Sequence, residues 1–255
     1  MTWIFQVHIM SGEVEIIPKN PIKRGNPQVL TGFAGAGFVG STALMYIARQ
    51  KEYELKAEVR SKYIPPSILL IGGEPTYPFR IYGDKKGEIL IIVSEALVPP
   101  ENSYPVANGI MKYLKNKNPA GFTFVEAMPF PAPPQDNSVF GFSFPRRDDL
   151  FKYGIKPISE GGVSGLNAVM LDRCLQEKIP NTTIITPTVI VTNIDYSASA
   201  ITIDVLSKMH KLGVDTSPLK KSIEMQQQIQ QQSRQQQVQP QQQQKKKGFF
   251  DSLKR

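Results

Sequence analysis

Residues 32–40 read GFAGAGFVG, and within them Gly35, Gly37 and Gly40 form the pattern G-x-G-x-x-G. A strand-like run, QVLTGF, leads into the glycines, and apolar residues at helical spacing predict a helix over residues 38–50. Glycines let the backbone turn tightly between a strand and a helix, and the amino end of a helix attracts anions. The stretch therefore predicts a strand–turn–helix unit of an α/β protein. It leaves open whether the turn binds a dinucleotide or only packs closely.

The surroundings of the glycines favour a packed turn. A dinucleotide-binding unit also needs an acidic residue at the carboxyl end of the next strand, about twenty residues further on. Glu54 and Glu58 are roughly in range, but they fall before or inside the next predicted strand, at residues 55–64. The stretch also lacks the Gly-Lys-Ser/Thr ending of a P-loop. We interpret it as a structural turn, with dinucleotide binding as the alternative.

Further along, strands alternate with helices. The later strands include EILIIVSE (88–95), GFTFVEA (121–127) and TTIITPTVIVT (182–192). Helices are predicted near residues 103–116 and 193–213, and Asp195 is a suitable N-cap for the second of these. Strand EILIIVSE is apolar and β-branched throughout, which is typical of a strand buried on both faces. The pattern predicts an α/β fold, with a mostly parallel sheet between helical layers in a three-layer α/β/α domain.

The composition changes sharply near residue 225. Residues 226–244 contain fourteen glutamines, and such a segment cannot bury enough apolar surface to form a core. We therefore predict a globular α/β domain over residues 1–215. A glutamine-rich arm, helical or disordered, is expected over 216–244, and a basic-aromatic tip over 245–255.

The positive charge is concentrated at the carboxyl end of the chain. The formal net charge is +8, of which residues 220–255 carry +6 and the body only +2. The basic residues are diluted by glutamine and lack the interleaved aromatic residues on which nucleic-acid bases stack. We therefore expect no nucleic-acid partner.

Several classes of protein and site are disfavoured by the composition. Apolar runs fall short of the roughly 18–20 residues that cross a bilayer, and the amino-terminal stretch lacks the basic start of a secretory signal, so we expect a cytoplasmic protein without a membrane span. Cys174 is the single cysteine, and His8 and His210 are the two histidines. These are too few for a disulfide or a typical zinc site. We expect no metal, no cofactor and no catalytic residue, although the sequence does not decide whether the protein is an enzyme.

Three long stretches carry motifs in a fixed order. They are GFAGAGFVGSTALMYIARQ from Gly32, EGGVSGLNAVMLDRCLQEKIP from Glu160, and TPTVIVTNIDYSASAITIDVLSKMHKLGVDTSPLKKSIE from Thr186. Their order and spacing resemble those of the proteasome assembly chaperone two family over roughly residues 25–225. The chain is most similar to the stand-alone archaeal members of that family.

The resemblance implies a fold similar to that of nucleoside phosphorylases and a non-catalytic, homo-oligomeric protein that helps to assemble proteasomes. The implied partners are proteasome α- or β-subunits or the core particle. Such relatives dock through a carboxyl end that reads hydrophobic residue, tyrosine, any residue. Here the chain ends Leu253-Lys254-Arg255, with lysine in place of tyrosine. The candidate partner-binding residues are Phe249, Phe250, Leu253, Lys254 and Arg255.

A ligand pocket is the alternative interpretation. Ligands of parallel α/β sheets bind at the carboxyl ends of strands, and a second glycine turn precedes a helix there. The candidate pocket residues are Gly35, Gly37, Gly40, Glu95, Glu126, Gly162 and Gly165. Arg80, Arg146 and Arg147 could contact a phosphate. This alternative would make the protein a nucleoside- or nucleotide-binding enzyme, since relatives are also grouped by sequence with ATP-grasp enzymes.

Overall fold

The computed structural model describes residues 13–22, 25–132, 136 and 138–229. The contacts within the chain divide it into two units, Met1–Val214 and Asp215–Arg255. The first unit contains the α/β fold. The second contributes a described helix over residues 219–229.

The first unit contains four α-helices and eleven strands among its described residues. In chain order they are β1 (Val14–Pro18), β2 (Gln28–Phe33), α1 (Val39–Gln50), β3 (Glu54–Ser61), β4 (Leu69–Ile71), β5 (Glu74–Thr76), β6 (Phe79–Gly83), β7 (Ile89–Ser94), α2 (Ser103–Lys115), β8 (Gly121–Pro129), β9 (Val139–Phe144), β10 (Ile155–Pro157), α3 (Gly165–Gln176), β11 (Asn181–Thr188) and α4 (Tyr196–His210). Short 3-10 turns lie at Ala36–Phe38, Pro100–Asn102 and Leu150–Tyr153.

Nine of the described strands form one mixed sheet in the order β1-β3-β6-β7-β2-β8-β11-β9-β10. The central strands β7, β2, β8 and β11 run parallel, as predicted. The outer strands β1, β3 and β6 pair antiparallel, and so do β9 and β11. A parallel pair needs a crossover of a dozen or more residues, and only residues 84–88 separate β6 from β7. The prediction of a mostly parallel sheet therefore holds for the centre of the sheet and for the outer pair β9–β10, and not for β1, β3 and β6 or for the pairing of β9 with β11.

Helices cover the sheet in two layers, which confirms the predicted α/β/α class. Val29 of β2 and Phe122 and Phe124 of β8 are buried in one core with the inner faces of α2 and α3. Because side chains alternate along a strand, Leu30 and Val125 face the other layer, in which α1 and α4 pack together. Burial of each such large apolar side chain contributes roughly 1.5–3 kcal/mol.

The last helix of the first unit begins where the sequence predicts. Asp195 Oδ1 accepts a 2.9 Å hydrogen bond from the Ala198 N–H, so Asp195 is the N-cap of α4. Its Oδ2 accepts a second bond, of 2.8 Å, from the hydroxyl of Thr188 at the end of β11. The cap therefore fixes α4 to the carboxyl edge of the sheet.

Two classes of feature are not found in the described part of the chain. Each helix there is too short or too polar to traverse a lipid bilayer. Nor do three or more His, Cys, Asp or Glu side chains of those residues come together as a metal-binding group.

Candidate functional site

A cleft of about 350 Å³ opens at the carboxyl ends of β2 and β8, in the middle of the sheet. Its walls are the glycine turn after β2, the segment after β7, the end of β8 and the first turn of α3. This edge is where open α/β sheets bind ligands. Of the predicted pocket residues, the structure places Gly35, Gly40, Glu126 and Gly165 on the walls of the cleft.

Close packing explains two of the glycines in the G-x-G-x-x-G motif. Gly37 has a left-handed backbone, with φ +60°, and a Cβ there would lie 2.6 Å from Thr188 Oγ1. Its N–H donates to the Val191 carbonyl, so the turn is fixed to the segment that leads to α4. A Cβ on Gly40 would lie 3.1 Å from the Val125 carbonyl oxygen and 3.2 Å from Gly32 Cα. These glycines let α1 approach β2 and β8 closely, and Gly37 does not line the cleft.

Gly35 differs from the other two glycines of the motif. It lies on the wall of the cleft, and its backbone is extended. A Cβ there would meet only the Phe33 carbonyl oxygen, at 4.0 Å. This is the glycine of the motif that could contact a ligand.

A buried chain of polar side chains forms the floor of the cleft. Thr31 Oγ1 donates to Asn167 Oδ1 at 2.7 Å. Asn167 Nδ2 donates to Glu126 Oε1 at 2.7 Å and to the Val125 carbonyl oxygen at 3.2 Å. Thr31 and Asn167 are both buried. Both polar atoms of the Asn167 side chain are hydrogen-bonded, and Nδ2 holds Glu126 Oε1 in place.

Glu126 has an unusual acidity. Its carboxyl group is largely removed from water, and this burial raises its pKa to about 7 in spite of the opposing hydrogen bond from Asn167. Its second oxygen, Oε2, has no hydrogen bond to a described residue. A carboxyl group that titrates near neutrality at the edge of a cleft can act as a hydrogen-bond donor or acceptor.

Comparison with known proteins identifies the family. The model of the PAC2 family matches residues 29–234, which is most of the chain. This chain belongs to the PAC2 family. The resemblance drawn from the sequence motifs is thereby confirmed, and the match includes the glycine turn, the floor of the cleft and α4.

The similar proteins include one from Methanocaldococcus jannaschii and two from Pyrococcus furiosus. The uncharacterized protein MJ0106 of Methanocaldococcus jannaschii is 26% identical over 217 residues, which cover 84% of this chain and 88% of that protein. The crystal structure of Pyrococcus furiosus PbaA, an archaeal homolog of proteasome-assembly chaperone, superposes with a TM-score of 0.78 at 25% identity, covering 92% of this chain and 97% of that one. P. furiosus PbaB, an archaeal proteasome activator, shares the fold with a TM-score of 0.76 at 15% identity, covering 87% and 99%.

In this PAC2 protein Glu95 lies away from the cleft. It follows β7 by one residue, and its side chain makes an ion pair with the fully buried Arg80 of β6. In register, Gly32 of β2 lies between Val93 of β7 and Val125 of β8, so Glu95 and Val125 share one face of the sheet. Side chains alternate between the faces, so Glu95 points to the face opposite Glu126.

The other residues that the sequence suggested for a ligand or a partner do not line the cleft or lie outside the described residues. Gly162 lies in the loop before α3, does not line the cleft, and has nothing within 4 Å of a would-be Cβ. Arg146 and Arg147 are paired with Asp148 and Asp149. The tip residues Phe249, Phe250, Leu253, Lys254 and Arg255 lie outside the described residues.

Sequence reasoning missed the residues that hold Glu126. Asn167 lies in the first turn of α3, two residues after Gly165, and Thr31 is the polar residue inside the otherwise apolar run VLTGF. A polar residue inside an apolar strand or on the inner face of a helix is expected to be buried and therefore hydrogen-bonded to another residue. Thr31 and Asn167 both occupy positions of this kind.

Exposed apolar side chains surround the same edge of the sheet. The connections from β3 to β6, from β7 to α2 and from β11 to α4 all leave the sheet at the carboxyl ends of the central strands. The large apolar side chains that these connections and the start of α2 expose are Ile68, Leu70, Leu97, Tyr104, Val189, Val191 and Ile194. We call these residues the apolar edge. Exposed large apolar side chains along one edge of a domain are suited to binding another protein.

Proposed function

We propose that this PAC2 protein acts in proteasome assembly as a non-catalytic homo-oligomer that binds proteasome subunits or the core particle. The observation that carries the proposal is the similarity to P. furiosus PbaA over nearly the whole of both chains. That protein is a homolog of proteasome-assembly chaperone. Family membership over residues 29–234 supports the same role.

The surface of the first unit is suited to binding another protein. Leu70 of the β4–β5 hairpin is 75% exposed, and Val191 of the loop before α4 is 49% exposed. Burial of large apolar side chains provides most of the energy of protein association, in hot spots near the centre of the interface. We assign the contact with proteasome subunits to the apolar edge. The role of the tip residues 249–255 and the cytoplasmic location stay predictions from the sequence.

The test is reconstitution with the cognate proteasome α- and β-subunits. The full-length protein is expected to bind the subunits in size-exclusion chromatography and to speed the appearance of core particle on native gels. Light scattering of the protein alone gives its oligomeric state. Absence of both binding and acceleration would contradict the proposal, and a monomer would contradict its homo-oligomeric part.

Two variants locate the contact. Leu70→Lys combined with Val191→Lys places charges on the apolar edge and is expected to weaken subunit binding at least tenfold, about 1.4 kcal/mol. Leu175→Lys is the matched control, since Leu175 is 44% exposed but lies near the carboxyl end of α3, away from that edge. Deletion of residues 245–255 tests the tip separately. Equal effects of the edge variant and the control would remove the edge from the proposal.

A further inference from the structure

The cleft contains a carboxyl group and no cation to balance it. Among the described residues that line the cleft, Glu126 is the one charged side chain, and neither lysine, arginine nor histidine occurs. Asn167 holds its Oε1, and its Oε2 has no hydrogen bond to a described residue. A carboxylate that is largely removed from water and has no counter-ion is unfavourable. A cation that enters the cleft would supply the missing partner.

The walls above Glu126 are largely apolar. They include the side chains of Phe33, Leu97, Val98 and Leu166. The cleft has a volume of about 350 Å³, at the lower end of the range for small-molecule sites. A lysine side chain fits these properties, because its four-carbon stem packs on apolar surface while its ammonium group needs a polar partner.

The cleft and the apolar edge share a residue. Leu97 lines the cleft, is 63% exposed and belongs to the apolar edge. A protein that is seated on the apolar edge therefore lies next to the mouth of the cleft, within reach of a long side chain. The two surfaces together offer apolar contacts around one buried acidic group.

The amino ends of α1 and α3 restrict where a cation can lie in the cleft. Gly40 and Gly165, in the first turns of these helices, line the walls. The start of a helix carries a partial positive charge of roughly half a unit, which repels a cation and favours an ionised carboxylate. The full negative charge of an ionised Glu126 is stronger, so the place for an ammonium group is at Glu126 and not at the helix ends.

We propose that the cleft receives the side chain of a lysine from a partner protein that binds the apolar edge. The ammonium group donates hydrogen bonds to Glu126, and the stem packs against Phe33 and Leu97. The inference rests on the proposed binding of a proteasome subunit at that edge. The ammonium site itself is measured on the isolated protein, so the two can fail separately.

Pairing with the lysine requires that Glu126 lose its proton. The pKa of Glu126 is raised to about 7 by burial, and the hydrogen bond from Asn167 opposes this effect. Of the charged residues next to the lining segments, Glu95 pairs with Arg80 on the other face of the sheet, and Glu101 is exposed. A lysine stays charged throughout this range, so its affinity is expected to rise about tenfold between about pH 6 and about pH 8.

The first experiment is an amide NMR titration of the full-length protein with Nα-acetyl-lysine amide at millimolar concentration. The compound is expected to shift the amide signals of residues 97–98, 125–127 and 166–167, with the rise in affinity from about pH 6 to about pH 8 given above. The matched compound is the hydroxynorleucine analogue, which has the same stem and a hydroxyl group in place of the ammonium group. It is expected to bind at least about tenfold more weakly at about pH 8.

The second experiment compares Glu126→Gln with Glu101→Gln, which makes the same change at an exposed glutamate outside the cleft lining. At about pH 8, Glu126→Gln is expected to weaken binding of the lysine compound and of proteasome subunits at least about tenfold, and to abolish the pH dependence. Glu101→Gln is expected to leave both kinds of binding unchanged. Glutamine keeps the shape of the side chain, so the change tests the charge.

Three results would overturn the ammonium site: equal binding of the lysine and hydroxynorleucine compounds, shifted amides elsewhere in the protein, or an affinity that does not change with pH. If subunits bind the unmodified protein and Glu126→Gln equally well, the inserted lysine is wrong and the proposed function stands. If the subunits do not bind at all, the proposed function fails, and the assignment of the lysine to a proteasome partner fails with it.

Discussion

Asn167 donates a 2.7 Å hydrogen bond to Glu126 and thereby joins the first turn of α3 to the end of β8. The oxygen of the same amide group, Asn167 Oδ1, accepts a hydrogen bond from Thr31 of β2, so α3, β8 and β2 meet in one hydrogen-bonded group at the floor of the cleft. Burial raises the pKa of Glu126 and the hydrogen bond from Asn167 lowers it, with burial the larger effect. Substitution of either residue therefore gives a testable prediction.

Glu126→Gln is expected to remove the pH dependence that this group gives to the stability of the protein. The pKa of Glu126 is raised from 4.5 to about 7 by burial, so the folded protein binds the proton more tightly than the unfolded chain does. Its favourable contribution is complete below about pH 4.5 and is lost as the pH rises to about 7. Glu126→Gln is therefore expected to be more stable than the unmodified protein at about pH 8, by roughly 3 kcal/mol.

Urea unfolding at a series of pH values measures this difference. Glu101→Gln is the control, because Glu101 is an exposed glutamate at the same edge of the sheet. A difference between Glu126→Gln and the unmodified protein that stays constant from about pH 5 to about pH 8 would show that Glu126 titrates normally.

Asn167→Ala is expected to destabilise the fold and to raise the pKa of Glu126 further. The substitution leaves the buried Thr31 hydroxyl without its partner and removes the hydrogen bond that lowers the pKa of Glu126. The expected loss is about 1–3 kcal/mol in the free energy of unfolding. Carboxyl-carbon NMR of Glu126 gives its pKa directly, and a value lower than that of the unmodified protein would contradict the assigned bond. Asn116→Ala, at an exposed position after α2, is the control.

The glycine turn shows how much of the fold could be predicted from sequence. The strand QVLTGF coincides with β2, and the helix predicted over residues 38–50 begins one residue later, at Val39. Local patterns of this kind depend on neighbours in sequence, which are all visible in the chain. The antiparallel pairings of β1, β3, β6 and β9 were not predicted, because strand pairing depends on contacts between segments far apart in sequence.

The positions of Glu95 and Glu126 show why the cleft was harder to predict. Both residues lie at or near the end of a predicted strand, residues 88–95 and 121–127, so the sequence pattern gave them the same role. The register between strands decides otherwise, since Ser94, and not Glu95, is in line with Phe33. A shift of one residue moves a side chain to the other face of a sheet. Sequence alone does not contain that register.

Gly37→Ala is expected to destabilise the protein much more than Gly35→Ala. At Gly37 the backbone is left-handed and a Cβ would lie 2.6 Å from Thr188 Oγ1, whereas at Gly35 the nearest atom is 4.0 Å away. Strain and overpacking together are expected to cost roughly 2–4 kcal/mol at Gly37. The Gly35 variant is expected to stay within about 0.5 kcal/mol of the unmodified protein. Thermal and urea unfolding of the two variants measure this, and equal stabilities would show that the motif does not pack as described.

His210→Gln is expected to make the fold less sensitive to acid. Burial and the nearby charge of Arg147 lower the pKa of His210 from 6.5 to about 4, and the ring contacts Thr123 Oγ1 at 3.1 Å. The unfolded chain therefore takes up a proton that the folded protein excludes, and stability is lost as the pH falls from about 6.5 to about 4. Between those values the free energy of unfolding of His210→Gln is expected to fall less than that of the unmodified protein, by up to roughly 3 kcal/mol. Lys208→Gln, on the exposed side of α4, is the control for the loss of a positive charge from this helix. Parallel pH profiles for the unmodified protein and His210→Gln would mean that His210 is protonated in the folded state.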